Sequence, residues 1–211
     1  MMNIKIIYYI IIIFLLILSC KNPKDYDRYF NQIVVRDLNG NRFFLNQVEA
    51  SVLIINFYSP TCLPCVEELP ALHMIYQEAK KLQYEMFLAV EPNLERNLPE
   101  VPSSFKNKDF DNEAFLYLKN VLEQEKQRRN IQIPFVIVEP PFKIDSDQFV
   151  TGTPETLIFT TKPLMLRYNF VGSITTSQNH QEILLSSRYK FFVSILKTIY
   201  ENTTTQIQYQ K

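Results

Sequence analysis

The chain has 211 residues, and its 22 Lys+Arg balance 22 Asp+Glu to a formal net charge of zero. That balance leaves no bulk basic surface for phosphate neutralisation, so nucleic acid is excluded as a partner. Hydrophobic residues at 46% and charged residues at 21% describe a chain that can bury a core, and they exclude intrinsic disorder. Three cysteines are too few for a disulfide scaffold and odd in number, so each one needs its own explanation.

The N-terminus opens with a positive charge at Lys5 and continues as an unbroken apolar run from Ile6 to Leu18. The run is shorter than the ~20 residues of a membrane-spanning helix and suits the apolar region of a secretory signal. Ile17-Leu18-Ser19-Cys20 then resembles a bacterial lipobox, although Leu18 is bulkier than usual at its position. Residues 1–19 are therefore predicted to be a lipoprotein signal peptide and Cys20 the lipidated residue. The competing reading is an uncleaved signal anchor. Both put the folded part on the periplasmic or extracytoplasmic face of the membrane. The polar stretch 20–31 is expected to be a tether, and diacylation would hold the protein at the bilayer.

The folded part begins with Ile33-Val34-Val35 and Phe43-Phe44-Leu45 around Asn39-Gly40, a hairpin signal. Val52 to Tyr58 is apolar on both alternating faces, as in a strand buried within a parallel or mixed sheet. A helical period follows through Cys65, Leu69, Leu72, Tyr76, Ala79 and Leu82, and Tyr84 to Val90 reads as a second buried strand. Residues 91–110 form a long loop with three prolines, and Asp111 to Asn130 a helix with a basic last turn. Together, 91–130 reads as an insertion after the second core strand. Pro134 to Val138 reads as a short strand or extended segment, and Thr156–Thr160 with Met165–Val171 as an antiparallel pair. Asn179 and Glu182 form a capping box for a last helix through Ile199, and 203–211 is expected to be a frayed tail. The predicted class is α/β, with a central mixed β-sheet flanked by helices and one domain over 32–202.

Cys62-Leu63-Pro64-Cys65 sits where the buried strand ends and the helix begins. Unpaired N–H groups and the positive end of the helix dipole favour a thiolate there, which makes Cys62 the attacking sulfur and Cys65 the resolving one. Zinc would need four ligands, whereas only His73 and His180 remain, without finger spacing. Haem attachment would need His rather than Val66 after the second cysteine. A structural disulfide stays open as an alternative, and no metal or cofactor is called for.

The run VLIINFYSPTCLPCVEELPAL, with Asn56-Phe57, Cys62, Cys65, Glu68 and Pro70, resembles the active-site segment of thioredoxin-like proteins of the TlpA/ResA type. These are membrane-anchored thiol-disulfide oxidoreductases. Gly152-Thr153-Pro154 before the strand TLIF is similar to the same family's cis-proline loop, and the likeness spans about residues 30 to 200. The resemblance implies a thioredoxin-like fold with an N-terminal hairpin. It also implies a cis Pro154, substrate pairing along the Thr153 backbone, and Glu68 handling the Cys65 proton. Clients would be disulfide-containing exported proteins, with a membrane electron-donor protein as a further partner. The chain departs from the family in having Thr61 before the first cysteine, neutral Asn56 in place of a strand carboxylate, and Thr161-Lys162-Pro163 as the hairpin turn.

Two rival functions fit parts of this pattern. A peroxiredoxin-like peroxidase would explain Ser59 three residues before Cys62, but it expects proline where Ile55 stands. A non-catalytic surface lipoprotein would keep the fold as a binding module with a permanent disulfide.

Overall fold

The computed structural model describes residues 26–92, 110 and 112–209. The predicted signal peptide, Cys20 and the loop 93–109 lie outside the described residues. Among those described, no helix is long and apolar enough to cross a membrane.

Among the described residues, seven strands form one mixed sheet. They are β1 (Val34–Asp37), β2 (Arg42–Phe44), β3 (Val52–Phe57), β4 (Glu85–Val90), β5 (Phe135–Val138), β6 (Glu155–Thr161) and β7 (Leu164–Val171), in the spatial order β2-β1-β5-β4-β3-β6-β7. The central three, β5, β4 and β3, are parallel, and the hairpins β1-β2 and β6-β7 pair antiparallel on either side. This is the α/β arrangement of a central mixed sheet flanked by helices that the sequence implies, including the N-terminal hairpin.

Every residue of β3 is buried, because both faces of the sheet are covered. Val52, Ile54 and Tyr58 face one core with α2 (Leu63–Lys81), α3 (Asn112–Arg128) and α5 (Ser187–Tyr209), whereas Leu53, Ile55 and Phe57 face a second, aromatic-rich core. The period of two in the strand thus serves two cores at once. Helix α3 joins the parallel neighbours β4 and β5, so the segment after β4 supplies a sheet strand as well as a helix.

Three boundaries differ from the sequence reading. The expected tether contains α1 (Tyr26–Phe30), which belongs to the folded domain: Phe30 is fully buried among Phe142, Phe149 and Phe159. Asp27 Oδ1 accepts the Leu166 N–H at 2.7 Å, covering part of the otherwise open edge of β7. The last helical pattern is broken in two by Ser186, which ends α4 (His180–Leu185) and whose carbonyl starts α5 by accepting Lys190 N–H. Finally, α5 runs through Tyr209, past the start of the expected frayed tail at 203.

Because Phe30 is core, Phe30→Ala should destabilise the protein by about 3–5 kcal/mol. A urea midpoint within a few tenths of a molar of wild type would show instead that α1 is a dispensable tether.

Candidate active site

The end of β3 sets the position of the cysteine pair. Tyr58 N–H donates to Ala89 O at 2.9 Å, which keeps the chain in the sheet one residue beyond the strand. It then turns through Ser59-Pro60-Thr61, where Cys62 N–H donates to Ser59 O at 3.1 Å and the Ser59 and Thr61 hydroxyls bond to each other. Cys62 is the N-cap residue of α2, with extended backbone angles. Pro64 occupies the first turn, where its missing N–H costs nothing. The helix runs unbroken through Pro70.

Cys62 and Cys65 are joined in a disulfide with their Cα atoms 5.3 Å apart. Cys65 is completely buried, Cys62 is half-buried, and Leu63 between them is exposed. The Cys65 backbone N–H points at Cys62 Sγ at 3.2 Å. On reduction that donor and the helix dipole favour negative charge on Cys62, the more exposed of the two sulfurs.

Antiparallel pairing of β6 with β3 sets Phe57 opposite Glu155 and Asn56 opposite Thr156, which carries the loop before β6 over the end of β3. The Thr153-Pro154 peptide is cis, and the Thr153 carbonyl oxygen lies 3.6 Å from Cys62 Sγ. Gly172, with φ +76°, donates its N–H to Pro154 O at 3.0 Å and ties the loop to the end of β7. Part-exposed Cys62 and Thr153 therefore meet at the surface, each joined to a buried residue, Cys65 and Pro154 respectively. A cleft of about 530 Å³ lies elsewhere, at the Thr160–Pro163 end of the same hairpin.

Glu68 is fully buried, unlike most glutamates in the second turn of a helix. Its Oε1 accepts the Ile174 N–H at 2.6 Å, and Asn56 Nδ2 approaches Oε2 at 3.4 Å. Burial pushes its pKa up to about 7, outweighing the pull of those two donors and of Arg188 in the opposite direction. Asn56 also donates to Thr156 Oγ1 at 2.9 Å, while its own buried Oδ1 has no partner among the described residues. With the amide turned over, Oδ1 could accept from the Thr156 hydroxyl and from a protonated Glu68, so the amide can serve either protonation state. Asn56, Glu68 and Thr156 thus form a buried polar group, with Glu68 one turn after buried Cys65 on α2.

The sequence reading missed two further polar anchors. Tyr58 Oη donates to buried Glu125 at 2.6 Å, and Arg128 and Arg129 hold the same carboxylate. Burial alone would raise the Glu125 pKa, but these hydrogen bonds hold it below the ordinary value. The i+3 and i+4 arginines were a visible signal for that cluster, whereas Tyr58 was not. The second anchor is Glu155, fully buried directly after Pro154, which no spacing rule singles out. His73 plays no part in the site; its Nε2 accepts Gln132 N–H at 3.3 Å.

No protein-family model matches the chain, and no curated protein matches it. Among solved structures it is similar to StoA from Bacillus subtilis, at 15% identity, covering 73% of this chain and 97% of that one, with a TM-score of 0.48. It is also similar to the exposed lipoprotein thioredoxin Etrx1 from Streptococcus pneumoniae, at 16% identity, covering 72% and 97%, with a TM-score of 0.46. A third likeness is to a thiol:disulfide interchange protein of the thioredoxin family from Chlorobium tepidum, at 13% identity, covering 72% and 91%, with a TM-score of 0.45.

The raised Glu68 pKa has a consequence for stability. Below its ordinary value of 4.5 both folded and unfolded chains carry the proton, and between 4.5 and about 7 only the folded chain keeps it. Stability should therefore fall as pH rises through that window, by on the order of a few kcal/mol, and level off above it. Subtracting the pH–stability curve of Glu68→Gln isolates this contribution; parallel curves for the two proteins would contradict it.

Proposed function

We propose that the protein is a thiol-disulfide oxidoreductase that reduces disulfides in other proteins. The observation that carries this reading is the reactive geometry of one cysteine. Half-buried Cys62 caps a helix, receives the Cys65 N–H, and lies 3.6 Å from the Thr153 carbonyl oxygen.

Starting from the reduced dithiol, the Cys62 thiolate attacks a substrate disulfide. A Cys62–substrate S–S bond forms, and the first substrate sulfur leaves as a thiolate that takes up a proton. The Cys65 thiolate then attacks the Cys62 sulfur and closes the Cys62–Cys65 bond, and the second substrate sulfur leaves. The substrate gains two electrons and two protons, and the protein ends oxidised, in the form described here. Glu68, buried one turn after Cys65 on the same helix, would serve the second step as a proton reservoir. With a pKa of about 7 it can hold or release a proton at neutral pH.

The lipobox-like Cys20 supports an exported, lipid-anchored protein, and exported proteins bearing disulfides would be its clients. Repeated turnover as a reductant requires a membrane electron-donor protein to return two electrons to Cys62–Cys65.

In the reduced protein, iodoacetamide should modify Cys62 well before Cys65, because only Cys62 is reachable. Cys65→Ser should accumulate mixed disulfides between Cys62 and client proteins, visible on non-reducing gels and lost in Cys62→Ser. If Cys65→Ser traps nothing and the wild type neither reduces nor forms disulfides, the oxidoreductase reading is wrong.

A further inference from the structure

Directly behind the Thr153-Pro154 loop lies a buried carboxyl group that the chemistry above leaves unused. Glu155 opens β6, a strand whose next residues are Thr-Leu-Ile-Phe, and its side chain is fully buried. One carboxyl oxygen accepts both the Thr151 N–H at 2.9 Å and the Thr151 hydroxyl at 3.0 Å. The other accepts Asn169 Nδ2 at 2.7 Å. A buried acid is costly at a strand position that an apolar residue would fill without penalty, so its three hydrogen bonds point to a task.

The loop itself identifies that task. Its far end is fixed by the bond from Gly172 N–H to Pro154 O, and its near end by Glu155 through Thr151. Between these two ties Gly152 has open space around its Cα, with nothing within 4 Å of where a side chain would begin. Packing therefore does not hold the loop at Gly152. Hydrogen bonds at its two ends decide where the Thr153 carbonyl stands relative to Cys62 Sγ.

We propose that Glu155, oriented by Asn169, is a positioning residue. It holds the bent segment 151–154 in place beside Cys62 so that the main chain of a disulfide-bearing polypeptide can pair there, and it thereby sets a preference for polypeptide over small disulfides. The inference rests on the oxidoreductase reading and deepens it.

The test uses the reduced full chain and two probes with the same leaving group. One is a ten-residue peptide whose single cysteine is disulfide-bonded to thionitrobenzoate, and the other is free cysteine in the same mixed disulfide. In both, the Cys62 thiolate forms an S–S bond to the cysteine sulfur and coloured thionitrobenzoate leaves, so intrinsic reactivity cancels in the ratio of second-order rate constants. Wild type should favour the peptide, and Glu155→Leu should lower that ratio roughly tenfold or more, the scale on which misplaced binding groups act. Glu155→Gln should retain the ratio. Its Oε1 can still take Thr151, and its Nε2 can donate to Asn169 Oδ1, which is buried and has no partner among the described residues. Asn169→Ala should lower the ratio in the same sense, and it decides the matter if Glu155→Leu does not fold. A ratio unchanged in Asn169→Ala and in folded Glu155→Leu, or a wild type that favours neither probe, would overturn the role of Glu155. A wild type that reacts with neither probe would instead overturn the oxidoreductase reading.

Discussion

The start of α2 governs the rest of the molecule. A strand buried on both faces ends at Phe57, and the helix that follows must begin within a few residues, with unpaired N–H groups facing the surface. Cys62 stands at that point, so the backbone itself supplies the donor and the dipole that favour a thiolate. Burial of Cys65 one turn later makes the two sulfurs unequal, and in the proposed reaction the part-exposed one would meet substrate while the other waits inside. The β3–β6 register completes the arrangement by bringing Thr153 across from Cys62.

Behind this surface the protein accepts several buried polar groups that an apolar sheet would not need. Glu125 ties Tyr58 to the basic end of α3, Glu155 ties the cis-proline loop to Asn169, and Glu68 ties α2 to Ile174 and Asn56. Each carboxyl reaches a backbone or side-chain donor on a different element, so each fixes one element against another. They differ in electrostatics. Glu125 has two arginines and is held below the ordinary carboxylate range, whereas Glu68 gains too little from its donors to offset burial and titrates near neutrality. Of the two, Glu68 is therefore the one suited to exchange a proton during thiol chemistry.

Much of this was legible in the chain. The all-apolar run of β3, the cysteine spacing at its end, the helical period through Leu72 and Ala79, and the turn at Asn39-Gly40 each depend on local physics, and each appears where expected. What escaped depends on long-range pairing. Phe30 sits in a segment that looks like a polar tether until Phe142, Phe149 and Phe159 converge on it from more than a hundred residues away. Glu155 looks like an ordinary polar residue after a proline until the sheet places Asn169 and Thr151 around it. Ser186 interrupts a continuous helical period through its own backbone, which periodicity does not register.

The central claim is that the Cys62–Cys65 bond is made and broken in function and is not a permanent staple. Equilibrating the full chain with glutathione redox buffers and quantifying the free thiols of Cys62 and Cys65 tests this directly. A catalytic pair should reduce reversibly, with a potential of about −120 to −270 mV, the range of thiol-disulfide catalysts. A potential below about −300 mV, with the bond intact throughout the glutathione range, would mark a structural disulfide and contradict the account.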